Sequence, residues 1–179
     1  QFLIGRGIGI DCSGFIVHVL NVYYQEVFKK PLWKCLKIPV KTVFSKLKYF
    51  LRPIEHLGAE VIINEENSYP IVINDVRAGD LIRSKGKKNN AHHAMLIFDV
   101  ESDKNSNVKL IRYVHSSPYY DQDNGVKFGE IKIVDQNKPL KDQDWLEKDR
   151  YGVNHTYEGF LVNNDDNGLR RLRCLEKIL

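Results

Sequence analysis

The chain is predicted to be an α+β domain, with N-terminal helices packed on one face of an antiparallel β-sheet. Apolar residues recur at helical spacing early in the chain, and from Glu60 onward short apolar runs alternate with polar turns. Helices that come first and strands that come later segregate by layer instead of alternating around a parallel sheet. At 179 residues and 42% hydrophobic, the sequence can bury one core of ordinary size, so residues 1–179 are read as a single domain.

Gly5, Gly7 and Gly9 suit a tight loop before the first ordered element. From Ser13 to Tyr24, Phe15, Ile16, Val19, Leu20 and Tyr23 fall at helical spacing, and Asp11 stands where an N-cap accepts the first free amides. Cys12 therefore belongs to the first turn of a buried helix. Pro31 interrupts the pattern, and Val40, Val43, Phe44, Leu47, Phe50 and Leu51 then form a second apolar stripe that Pro53 ends. Strands are expected at residues 61–63, 71–73, 80–82, 93–100, 108–115, 126–134 and 157–162. Asp135–Arg150 is polar enough to read as a long surface loop.

The net charge of +4 and pI near 8.9 decide little, but their distribution is informative. Lys29, Lys30, Lys34, Lys37, Lys41, Lys46, Lys48 and Arg52 follow one another with no acid between, which marks residues 29–53 as a basic helical insertion. A solvated lysine face is the plainest meaning of such a run. Attraction to an anionic wall polymer or a membrane surface is the alternative, weakened by salt. Nucleic acid is disfavoured as a partner, because the aromatic residues there follow the apolar stripe.

Cys12, Cys35 and Cys174 are too few and too irregular for a disulfide scaffold or a CxxC zinc site, and an odd count leaves at least one thiol free. A Cys35–Cys174 bridge is allowed in an oxidising compartment, and spacing alone does not decide it. No run approaches the roughly 18 apolar residues of a membrane span. Gln1–Ile10 lacks the features of a secretory signal, so an export signal is expected to have been removed or to lie upstream of Gln1. No cofactor is expected, and the chain is expected to be a monomer.

A thiol attacks as thiolate, and the free amides at a helix N-terminus lower its pKa. Cys12 has that position, Ser13 and Gly14 leave room for a substrate backbone, and the Cys12 amide would serve an oxyanion hole. The surrounding words are more specific than the cysteine alone. IDCSGFIVHVL, then VRAGDLI, then HHAMLIFDV, then YVHSSP occur in the chain order of the NlpC/P60 cysteine peptidases, which the sequence resembles over residues 11–118. The resemblance implies a papain-like NlpC/P60 core and matches Asp11, Cys12, Ser13 and Gly14 to the nucleophile motif. Gly79, Asp80 and Leu81 match a turn before a strand, His93 the base, and His115 the residue that orients it.

Base and orienter on adjacent strands would form a thiol version of the nucleophile, base and orienter triad. His93 is preferred to His92 because neighbours on a strand face opposite sides and because Ala94, Met95 and Leu96 after it fit the family's pattern. Asp121 and Asn124 are alternatives to His115. His18 reads as a packing or surface residue, and His56 and His155 have no motif around them.

The implied substrate is a peptidoglycan stem peptide cut between D-glutamate and a diamino acid, in the cell envelope or outside the cell. The resemblance also implies that Asp11, beside Ser13, helps hold the free amino end of that peptide. The family usually carries a tyrosine and a Trp-Gly-Gly turn before the nucleophile, and here only Gln1–Ile10 precede it, with Arg6, Gly7 and Gly9 a shortened version. Rival expectations are a CHAP-type amidase cutting between glycan and peptide, and a wall-binding module without catalysis. A lipid acyl transferase is disfavoured because the related lipid enzymes place His before Cys. A zinc hydrolase would require His92, His93 and His115 to converge.

Overall fold

The computed structural model describes residues 12–38, 57–85, 92–117, 125–162 and 166–176, with Cys12, Lys85 and Ser117 described by their backbone alone. Helix α1 runs Cys12–Phe28, beyond the predicted end at Tyr24. Its buried stripe is Ile16, Val17, Leu20 and Tyr24, whereas Val19 and Tyr23, expected on the inner face, are about 40% exposed (40% and 41%). The stripe is rotated from the expected one because Val17 and Tyr24, one position beyond the predicted pattern, meet the sheet.

After a 3-10 turn at Leu32–Lys34, the described chain resumes with a one-turn helix α2 (Ala59–Ile62) and strand β1 (Ser68–Pro70). Strands β2 (Leu81–Lys85), β3 (His92–Ser102), β4 (Val108–Ser117) and β5 (Gly125–Lys132) follow. Then come β6 (Asp144–Trp145), helix α3 (His155–Leu161) and β7 (Gly168–Leu172). The strands form one sheet in the order β1-β7-β2-β3-β4-β5-β6, and every pair is antiparallel. The chain is thus α+β, as expected.

Alternation along the strands produces two apolar layers. On one face Leu81, Ala94, Leu96, Val114 and Leu172 pack against Ile16, Val17, Leu20 and Tyr24 of α1. On the other, Ile82, Met95, Ile97, Ile111, Tyr113 and Ile131 pack with Trp145, Phe160 and Leu169. Each fully buried aliphatic side chain contributes about 1.5–3 kcal/mol, so both layers matter. The N-terminal helices α1 and α2 pack on one face, as expected, while the C-terminal α3 lays Phe160 on the other.

Three strand expectations are also corrected. Residues 59–62 are helical, 73–75 form a 3-10 turn, and 155–161 form α3, whose N-cap Asn154 accepts from the Tyr157 amide at 2.9 Å. All three were short apolar runs, in which periodicity alone does not separate strand from helix. The 135–150 stretch is a loop only in part: it contains a 3-10 turn at Leu140–Asp142 and strand β6, and Trp145 is buried. Most of the basic insertion lies outside the described residues.

Gly79, Asp80 and Leu81 build a structural joint. Gly79 has φ 94°, which a residue without Cβ adopts without strain. Asp80, fully buried, accepts from the Arg77 amide at 2.9 Å and from Arg171 through Nε at 2.7 Å and Nη2 at 2.8 Å. The bidentate pair locks the entrance of β2 to β7 and holds the Arg171 guanidinium well above its ordinary pKa.

Candidate active site

Cys12 is the first residue of α1, at the end of the helix that carries the partial positive charge of its dipole. The register of the sheet orients this helix. His93 pairs with Ser84 at one end of β2, and Leu81 at the other end pairs with Arg170 of β7. Beyond Arg170 the chain continues to Leu172 and then Cys174, away from His93. Tyr24, near the end of α1, hydrogen-bonds Cys35 and lies in the field of Cys174. The C-terminal end of α1 therefore sits at the sheet end remote from His93. Twelve residues at 1.5 Å per residue separate Cys12 from Tyr24 by about 18 Å along the helix.

His93 and His115 meet. Leu96 of β3 faces Val114 of β4, which makes His93 and His115 diagonal neighbours on the face of Met95, Ile97 and Tyr113. His93 Nε2 lies 2.9 Å from His115 Nδ1, and the rings are edge-on at 82°. His92 shares the opposite face with Ala94 and Leu96, so the three histidines do not converge. His93, and not His92, is the histidine that meets His115.

The chain of contacts continues past the residues that sequence reasoning found. His115, fully buried, places Nε2 3.1 and 3.2 Å from the two oxygens of Glu147, and the Tyr113 hydroxyl donates to Glu147 Oε2 at 2.6 Å. Glu147 is itself buried. It follows β6 in the stretch expected to be surface loop, and Trp145 anchors it there with Nε1 donating to the Leu140 carbonyl at 3.0 Å. The apolar pair Trp145–Leu146 inside a polar stretch was the available signal. Only the buried tryptophan, and no motif, marks Glu147.

Burial pushes the His93 pKa down to about 3, with His115 adding to the fall and Glu147 opposing it. His93 is therefore a neutral imidazole, the form that accepts a proton.

Ser13 is almost fully buried in the first turn of α1. Asp11, Asp121, Asn124 and His56 lie outside the described residues. His18 is exposed, and His155 is held by Asp149 Oδ2 at 3.1 Å. The other two thiols occupy a separate place beneath Tyr24: Cys35 donates to the Leu32 carbonyl at 3.0 Å and hydrogen-bonds Cys174. That contact pushes the Cys174 thiol up and Cys35 down, and burial with the Cys35 contact takes Tyr24 up to about 12.

Among the described residues no helix is long and apolar enough to cross a membrane. Comparison with protein-family models, with curated proteins and with solved structures returns no match to this chain.

Proposed function

We propose that the chain is a cysteine peptidase with a papain-like core of the NlpC/P60 kind, in which Cys12 attacks an amide of a peptidoglycan stem peptide and His93 takes the thiol proton. The supporting observation is the 2.9 Å contact between His93 and His115, two residues singled out from separate motifs and brought together across adjacent strands. A partly buried imidazole tied to a second imidazole, and through it to a carboxylate, has the base-and-orienter order of a triad.

The bond cut on this proposal is the one between D-glutamate and a diamino acid. Asp11 would hold the free amino end of the peptide, and the enzyme would work in the cell envelope or outside the cell. Because α1 packs on the face of Ala94 and Leu96 while His93 belongs to the other face, the sulfur must reach His93 over the end of β3. A second reading takes His92 as the base, because His92 shares the face on which α1 packs.

Digestion of purified wall with the intact chain, read by mass analysis of the fragments, tests the proposal. Cleavage within the stem peptide that disappears with Cys12→Ala is the expected result. Cleavage between glycan and peptide would assign the CHAP-type amidase activity instead, and intact wall with retained binding would assign a binding module.

A further inference from the structure

We infer that Glu147 is a positioning residue that sets the tautomers of both His115 and His93 and so leaves Nδ1 as the bare nitrogen of His93. The inference deepens the peptidase proposal and rests on it for the role of His93, but its protonation pattern stands on the contacts alone.

A carboxylate accepts hydrogen bonds and donates none. Glu147 is buried where two polar groups converge on it, the Tyr113 hydroxyl at 2.6 Å and His115 Nε2 at 3.1 and 3.2 Å. A buried charge requires such donors, so His115 carries its proton on Nε2. Taken with that single proton, His115 has a bare Nδ1, which accepts. The group facing it at 2.9 Å is His93 Nε2, so that nitrogen must carry the proton. The remaining nitrogen of neutral His93, Nδ1, is an acceptor with its lone pair free for a thiol proton.

The charge of Glu147 thus fixes, two rings away, which nitrogen of the base is available. When Cys12 is deprotonated, the S–H bond breaks, a proton adds to His93 Nδ1, and the imidazolium is stabilised through Nε2–H···Nδ1 of His115 by the carboxylate behind it. His115 transmits the setting without exchanging its own proton. Tyr113 holds the carboxylate in place, and its position depends on Gly129, because a Cβ at 129 would collide with the Tyr113 ring.

The test is nitrogen-15 NMR of the histidine rings in the intact chain at pH 7, with Cys12 alkylation measured in parallel. In the unsubstituted protein both His93 and His115 are expected as Nε2–H tautomers. Glu147→Ala should move His93 toward the Nδ1–H form and slow Cys12 alkylation about a hundred-fold, the scale of general-base assistance, while Glu147→Asp should restore part of both. Tyr113→Phe should keep the tautomers, since the carboxylate remains.

An Nδ1–H form of His115 in the unsubstituted protein would overturn the inference, and so would a His93 tautomer indifferent to Glu147→Ala. If Glu147→Ala does not fold, the unsubstituted spectrum decides the protonation pattern and Glu147→Asp decides the dependence. Predicted tautomers with a Cys12 no more reactive than Cys35 would leave the role of Glu147 standing and remove the peptidase proposal.

Discussion

Gly129 of β5 lies over the phenol of Tyr113 on β4, so close that a single added Cβ would occupy the ring's own space. This contact lets Tyr113 pass beneath β5 and reach Glu147, and it makes a buried glycine part of the histidine network.

Gly129→Ala should therefore destabilise the fold by about 1–3 kcal/mol, the scale of overpacking a filled site. Tyr113→Phe keeps the ring and removes one donor from a buried carboxylate, for a cost of about 1–3 kcal/mol. Urea unfolding of both variants and of the pair together checks this prediction. The double substitution should cost less than the sum, because both act on the same Tyr113–Glu147 contact; strict additivity would contradict the coupling.

Stability should fall in mild acid because of His93. Its folded pKa, about 3, lies below the ordinary histidine value. A group of this kind binds its proton more weakly when folded, so its contribution is complete above about pH 6.5 and is lost as the pH drops from there toward 3. The slope for one such proton approaches about 1.4 kcal/mol per pH unit. Urea midpoints between pH 7.5 and 4.5 should decline more steeply in the unsubstituted chain than in His93→Gln, and parallel curves would contradict the assignment.

The Asp80–Arg171 pair is predicted to be a stability element and no part of catalysis. Removing one partner strands a buried charge, so Asp80→Ala should cost about 3–5 kcal/mol. An Arg171→Met and Asp80→Leu double variant should recover much of that loss, because neither charge is then left alone. Thermal unfolding of the three proteins checks the ranking, and a mild effect of Asp80→Ala alone would contradict it.

The two adjacent histidines should separate in activity. His93→Ala should reduce wall cleavage about 10²–10⁴-fold, the range for loss of a general base, while His92→Ala should leave it within a few fold. The reverse ranking in an initial-rate assay would make His92 the base and match the face on which α1 packs.

How much of this was legible in the sequence differs by element. The long hairpin of β3 and β4 and the helix that begins at Cys12 were readable because their patterns extend over many residues. Residues 59–62 and 155–161 were not, since runs of four to seven apolar and mixed residues carry no decisive period. Strand β7 was hidden by Arg170 and Arg171, whose charges read as surface until Ser68, Glu65 and Asp80 provide partners for them. The site divided in the same way. His93 and His115 stood in recognisable motifs, whereas Glu147 is joined to His115 and Tyr113 only by the fold, across 32 and 34 residues of chain.

The most direct measurement is the rate at which a thiol alkylator modifies each cysteine as the pH is varied, resolved by peptide mass analysis. Cys35 is the informative reference, because its thiol is also pushed down while it is half-buried and hydrogen-bonded to Leu32. The account predicts that Cys12 reacts near pH 6 far faster than Cys35 and Cys174, and that His93→Ala slows it about a hundred-fold. Modification of Cys12 that rises only near the ordinary thiol value of about 8.5, with the same profile in His93→Ala, would contradict it.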